Sequence, residues 1–285
     1  GEVVGSDHIE NLDERTLTHM MVARDVIFQE INRTGQAGQA VLEVNDLTVP
    51  GDQGYEAVRQ VNLQLHEGEI LAIAGVAGNG QRELVEALAG LRPIASGSIR
   101  MQGREISHLD IRERSAMGLT LIPEDRMGMG IVPNTSVVEN AMLRTYRFPE
   151  YRRGLLLNYA KLESYTRSLI ERYQVMVADI HHPVNYLSGG NLQKLLLGRE
   201  LDLNPTVLVA AYPVRGLDVA AAQAVYHLLL EERSKGTAIL LVLEDLDDIF
   251  RLADRVAVMY SGEIKAVLDV DATDIDSIGA LMLGA

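Results

Sequence analysis

Leu187-Ser188-Gly189-Gly190-Asn191-Leu192-Gln193-Lys194 is the stretch on which the reading of this 285-residue chain turns. An apolar residue leads in, a hydroxyl stands where a helix would be capped, and two glycines follow. Leu195-Leu196-Leu197-Gly198 then continues as a buried helix. Short oxygen-bearing side chains cap helix starts because they reach the free N–H groups of the first turn. Here the next two residues have no side chains, which leaves those N–H groups and the Ser188 hydroxyl open to a ligand. Aligned N–H dipoles at a bare helix start attract phosphate. Ser-Gly-Gly alone occurs often enough that an ordinary capped core helix is the better reading of it; the full string is far more specific.

Moving outward, the segments on either side alternate between strand and helix. Leu42 and Val44 alternate with Glu43 and Asn45, and Val61, Leu63 and Leu65 alternate through a second half-buried strand. Ile70-Leu71-Ala72-Ile73-Ala74 is a continuous apolar strand that enters a Gly-rich loop, and a helix follows from about Arg82 to Ala89. Gly97–Met101 and the turn Gln102-Gly103 close an antiparallel sheet, and Leu119–Pro123 is a further short strand. Residues from about 124 to 190 lack strong β runs and read as a helical insert ending at the Ser-Gly-Gly string. Strands Val207–Ala210, Ala238–Leu243 and Val256–Tyr260 follow with helices between them, the pattern of a mainly parallel sheet covered on both faces.

Composition narrows the function classes. Hydrophobic content of 47% is ample for a core, and no apolar run approaches the ~18–20 residues of a membrane span. No signal peptide is visible. There is no Cys, which removes disulfide, Fe–S and thiolate-zinc readings. The net charge of −14 argues against nucleic acid or an anionic bilayer as main partner. His181-His182 are adjacent and point apart with no third ligand spaced to join them, so no metal site is expected. Tyr146, Tyr151, Tyr159, Tyr165 and Tyr173 with nearby arginines look like a stacking surface, but in an acidic chain packing or a protein contact explains them better.

The string Leu187–Gln193 resembles the signature motif of ATP-binding-cassette (ABC) ATPases, in the LSGGN form of sugar and nucleoside importers. The resemblance covers about residues 40 to 285. It implies an α/β fold of the ABC-type P-loop nucleotide-binding domain, with a mainly parallel sheet core, an antiparallel β subdomain and a helical insert. Its nucleotide loop corresponds to Gly75-Val76-Ala77-Gly78-Asn79-Gly80-Gln81-Arg82-Glu83, in the strand–loop–helix context a P-loop needs. A working loop has Lys for the β- and γ-phosphates and then Ser or Thr for magnesium. Gln81 and Arg82 stand there instead, and no lysine precedes Lys161.

Other positions carry over one by one. The family's Gln contacting magnesium matches Glu124, and its Asp-Glu after the next strand matches Ala211-Tyr212. Its His at the γ-phosphate matches Glu244, while Asp218 is kept in the loop Arg215-Gly216-Leu217-Asp218. Charge, metal ligand, general base and phosphate sensor are all lost, and a lost general base alone costs about 10²–10⁴-fold. The resemblance therefore implies a hydrolysis-deficient site of its own. The signature would serve ATP, with magnesium, held mainly by another cassette. The implied partners are a first cassette of the same or a paired chain, two transmembrane permease subunits and, indirectly, an extracytoplasmic substrate-binding protein. That places the chain peripherally on the cytoplasmic face of the cell membrane. The string Ala210-Ala211-Tyr212-Pro213-Val214-Arg215-Gly216-Leu217-Asp218 is similar to the nucleoside-importer branch. A simple-sugar importer and a nonhydrolysing scaffold or regulatory module are the alternatives.

The first 39 residues read differently. Gly1-Glu2-Val3-Val4-Gly5 is half a hairpin, Leu12–Val26 a helix and Gly35–Gln39 a linker. Gly262-Glu263-Ile264 matches Gly1-Glu2-Val3, and the same offset carries Thr16-Leu17 onto Ser277-Ile278 and Met21 onto Met282. A tandem repeat accounts for this, with residues 1–39 the remnant of an upstream cassette plus linker and 40–285 the nucleotide-binding domain.

Overall fold

The computed structural model describes residues 38–284. The half-hairpin at Gly1–Gly5, the helix at Leu12–Val26 and most of the linker lie outside the described residues. The end of that linker is already tied to the domain: Gly38 donates its N–H to Glu67 O at 2.9 Å, and Gln39 O accepts from Glu67 N at 3.0 Å.

The chain opens with β1 (Ala40–Pro50), β2 (Glu56–His66), β3 (Ile70–Ala74) and α1 (Gln81–Ala89). Strands β4 (Ser96–Met101) and β5 (Arg104–Glu105), helix α2 (Ile111–Ala116) and β6 (Leu119–Ile122) follow. The insert holds α3 (Val137–Met142), a hairpin of β7 (Arg152–Arg153) and β8 (Leu156–Leu157), and α4 (Tyr159–Arg172). The signature helix is α5 (Gly189–Leu201), succeeded by β9 (Val207–Ala211), α6 (Val219–Ser234), β10 (Ala238–Val242) and α7 (Leu246–Leu252). Strands β11 (Arg255–Tyr260) and β12 (Glu263–Asp269) and helix α8 (Ile275–Met282) close the chain.

Six strands form the main sheet in the order β12-β11-β3-β10-β9-β6, parallel except for the antiparallel edge β12. A second, antiparallel sheet runs β2-β1-β4-β5. Every residue of β3, β9 and β10 is buried, as strands sandwiched on both faces must be. Side chains alternate along β3, so Ile70, Ala72 and Ala74 join one core with the insert and α6, while Leu71 and Ile73 join the other with β1, β2 and α1. The expected fold class is thus the observed one.

The insert is less purely helical than its sequence suggests, since it contains the short β7–β8 hairpin. Its tyrosines mostly pack: Tyr151 and Tyr165 lie with ring centroids 5.4 Å apart, and Tyr173 is buried. Burial pushes the Tyr173 hydroxyl up to about 12.

Candidate functional site

The nucleotide loop leaves the carboxyl end of β3, in the middle of the parallel sheet, where open α/β sheets bind ligands. Gly80 sits at φ 105 with its α-carbon against the Ala57 carbonyl, and any Cβ there would overlap that oxygen. Only glycine fits. The loop is pinned to the β11–β12 turn, because Asn79 Oδ1 accepts from Ser261 N at 2.9 Å and its carbonyl from Gly262 N at 3.0 Å. Val76, Ala77 and Gly78 are exposed, and Glu83 follows in the first turn of α1.

Gln81 behaves unlike the lysine it replaces. Its side chain is 3% exposed and donates from Nε2 to the Val76 carbonyl at 3.1 Å, so the amide lies folded into its own loop. A Cβ on Gly75 would come within 2.5 Å of that nitrogen, which shows how tightly the amide fills the space. Arg82 turns away, pairing with Glu86 at 2.8 Å and with Asp52 at 3.6 Å. The loop therefore offers backbone N–H groups but no cation aimed at phosphate and no oxygen ligand for magnesium.

The other altered positions meet one another. Glu124, just past β6, and Glu244, just past β10, both pair with Arg215, Glu244 at 3.5 Å. Arg126 donates to the Arg215 carbonyl. The Arg215 guanidinium also lies 5.8 Å from the centre of the Tyr212 ring. Burial, then Glu124 and Glu244, raises the Tyr212 hydroxyl above its ordinary pKa. Tyr212 has a left-handed backbone, φ 47, and donates its N–H to Val242 O at 2.9 Å, which turns the chain out of β9 toward Arg215. Gln81, Arg82, Glu124, Ala211, Tyr212 and Arg215 all line one cavity of about 490 Å³. Carboxylates already paired with a guanidinium of the same chain make a poor magnesium site, and the residues present do not fit a metal–nucleotide complex held by this loop.

Ser188, Gly189, Gly190 and Asp218 do not line that cavity. They form a second surface where α5 and α6 begin side by side. Ser188 caps α5, its Oγ accepting from Asn191 N at 3.4 Å and from Asn191 Nδ2 at 2.9 Å. Asn191 Oδ1 accepts from Met176 N at 2.8 Å, so this side chain ties the helix start to the segment after α4. Leu187 is half-buried against the core, and Leu192 and Gln193 are buried beneath the surface. The N–H groups of Gly189 and Gly190 have no partner among the described residues. Asp218 caps α6 by accepting from Ala221 N at 2.8 Å. A Cβ on Gly190 would stand 2.7 Å from Ala221 Cβ, whereas one on Gly189 would meet only Leu217 Cδ2 at 3.7 Å. Gly190 is thus required by packing, and Gly189 by nothing among the described residues. Sequence reasoning missed Arg215 as the hub and Asn79 and Asn191 as ties.

A family model described as ABC transporter matches residues 58–213. The guanosine import ATP-binding protein NupO of Bacillus subtilis is 39% identical over 285 residues, spanning 100% of this chain and 56% of that protein. The glucose import ATP-binding protein TsgD13 of Haloferax volcanii is 37% identical over 286 residues, spanning 100% of this chain and 52% of that protein. The chain spans about half the length of the curated relatives it matches. A solved ATP-binding subunit of an ABC transporter superposes with a TM-score of 0.70 at 22% identity, over 85% of this chain and 99% of that one, a likeness of fold. More than half of the chain, from β2 through the end of β9, follows one family pattern, and the chain belongs to the ABC transporter family.

Proposed function

We propose that this chain is a nonhydrolysing cassette of an ABC importer for nucleosides, and that its signature helix completes an ATP site held mainly by another cassette. The observation that carries the reading is a contrast within one molecule. The loop that should hold nucleotide is filled by Gln81 and flanked by the Glu124–Arg215–Glu244 pairs. The signature surface keeps exposed Ser188 and Gly189, with N–H groups that have no partner among the described residues, at the start of a 13-residue helix. Such a helix start fits a phosphate: the N–H groups of Gly189 and Gly190 and the Ser188 hydroxyl would donate to its oxygens, and the aligned peptide dipoles of α5 would favour the charge. Asp218, beside them, would line the same interface. ATP bound there supplies the phosphoryl group, and magnesium stays with the partner cassette.

The cassette pairing, two permease subunits and a position on the cytoplasmic membrane face belong to this proposal. So does an upstream cassette in the same or a paired chain, to which the length of the relatives lends support. Nucleoside substrate is supported by the Ala210–Asp218 string and by the guanosine-import relative. The sugar reading is supported by the glucose-import relative.

ATP hydrolysis by the reconstituted two-cassette complex tests the pairing. Gly189→Asp places a carboxylate against phosphate and is expected to lower turnover by at least about 10²-fold, the scale of one lost oxyanion donor. Gln81→Ala is expected to leave turnover unchanged. If Gly189→Asp is tolerated while Gln81→Ala stops hydrolysis, the working site is in this chain and the proposal is wrong. Uptake of labelled nucleosides against ribose and galactose decides the substrate class; ribose uptake without nucleoside uptake would favour the sugar branch.

A further inference from the structure

We propose that the cavity between α1 and the ends of β6, β9 and β10 binds an uncharged lactam heterocycle of nucleoside size, such as a guanine or hypoxanthine nucleoside, in place of a nucleotide. Its volume of about 490 Å³ falls within the roughly 300–1,000 Å³ of small-molecule sites. Val85, Leu91, Leu121, Pro123, Met129 and Val242 make its walls largely apolar. None of Gly75 to Gly80 lines it, so a molecule held there does not use the backbone N–H groups that a triphosphate needs. Charge also turns phosphate away. Glu86, Glu124 and Asp125 line the cavity against Arg82 and Arg215. Arg82 already pairs with Glu86, and Arg215 with Glu124 and Glu244, so neither guanidinium has charge to spare. A phosphate would add negative charge to a wall that is already net acidic.

What these pairs leave over is a hydrogen-bonding edge. Arg215 reaches Glu124 Oε1 through Nη1 and Glu244 through Nε, so Arg215 Nη2 and Glu124 Oε2 have no partner among the described residues. The Tyr212 hydroxyl has none there either. One spare acceptor and one spare donor thus sit side by side on a single ion pair, with a second donor from the same cavity wall. A lactam carries the complement: its N–H donates to a carboxylate, and its C=O accepts from a guanidinium or a hydroxyl. Its flat faces ask for no hydrogen bonds and suit the apolar walls and the Tyr212 ring. A sugar fits the same walls poorly, because its hydroxyls point in every direction and several would face hydrocarbon without a partner. A purely apolar ligand fits poorly too, since it would cover the spare groups and satisfy none of them. This site is independent of the cassette pairing and of the importer's cargo.

Equilibrium dialysis of the full chain against labelled guanosine or inosine tests it. Saturable binding is expected, and an excess of ribose, galactose or ATP should not displace the label. 1-Methylguanosine, which lacks the lactam N–H, should bind at least about tenfold more weakly, as a site built around that hydrogen bond requires. Glu124→Gln and Arg215→Met should each weaken guanosine binding by roughly tenfold, the scale of a lost hydrogen bond to a charged group. Both side chains are exposed, and a cooperative thermal transition confirms that each variant folds. Four results would overturn the proposal: no saturable binding of either nucleoside, displacement by ATP or by the sugars, 1-methylguanosine that binds as guanosine does, or variants that both bind like the parent. Displacement by ATP would return the cavity to nucleotide, and displacement by ribose would make it a sugar site. The importer's cargo is decided by uptake and does not enter this test.

Discussion

Arg215 bridges two carboxylates, Glu124 and Glu244, at the mouth of the sheet. Its side chain is exposed, and exposed pairs each contribute only about 0.2–1 kcal/mol. Arg215→Met is therefore expected to cost about 1 kcal/mol in urea unfolding, most of it recovered when Glu124→Gln and Glu244→Gln are added. The two signature glycines make a sharper pair. Gly190→Ala drives its Cβ against Ala221 and should cost about 1–3 kcal/mol, as overpacking does, with Ala221→Gly restoring stability. Gly189→Ala should leave the unfolding midpoint of the isolated chain where it is. Any effect of Gly189 substitution on a complex then reports contact with something other than this chain. The glycines, the missing lysine and the replaced acids were legible because each is a statement about one position. Arg215 was not, because its partners arrive from the ends of β6 and β10, and only the sheet order makes neighbours of them.

Helix α1 illustrates how far an element can be read. Its start at Gln81 and its glycine stop at Gly90 follow from the sequence to within a residue. What satisfies its last carbonyls does not. Arg114 is 1% exposed and donates to Ala87 O at 2.6 Å, Leu88 O at 2.7 Å, Ser107 O at 2.9 Å and Leu109 O at 3.0 Å. One guanidinium thus caps α1 and joins it to the loop before α2. Arg114→Met removes these charged donors and leaves buried acceptors without partners, at an expected cost of about 3 kcal/mol or more in chemical denaturation. Arg114→Lys should recover little, because a point charge with three donors cannot span the four acceptors. An arginine in the middle of a short polar helix gives no sequence cue for this; its function depends on α1 lying alongside. The β7–β8 hairpin escaped notice for a different reason, since two-residue strands are too short to establish a period.

At the scale of the molecule, the parallel sheet was readable from apolar runs bounded by glycine, because buried strands have no solvent face to mark with polar residues. We propose, from the match of Gly1-Glu2-Val3 to Gly262-Glu263-Ile264, that residues 1–37 are separable from the domain. Their removal is expected to leave a soluble chain with little change in thermal midpoint; loss of soluble protein would count against the repeat. Strand order also bears on how the chain is made. β3 is made well before both of its neighbours: Ile70 pairs with Ile239, and Leu71 with Arg255. The middle of the sheet must therefore wait until β10 and β11 have left the ribosome, and such long-range parallel pairing is intrinsically slow. Chains stopped at Gly236 should remain protease-sensitive throughout β1 to α1, and the nascent protein should depend on chaperones until its last strands appear.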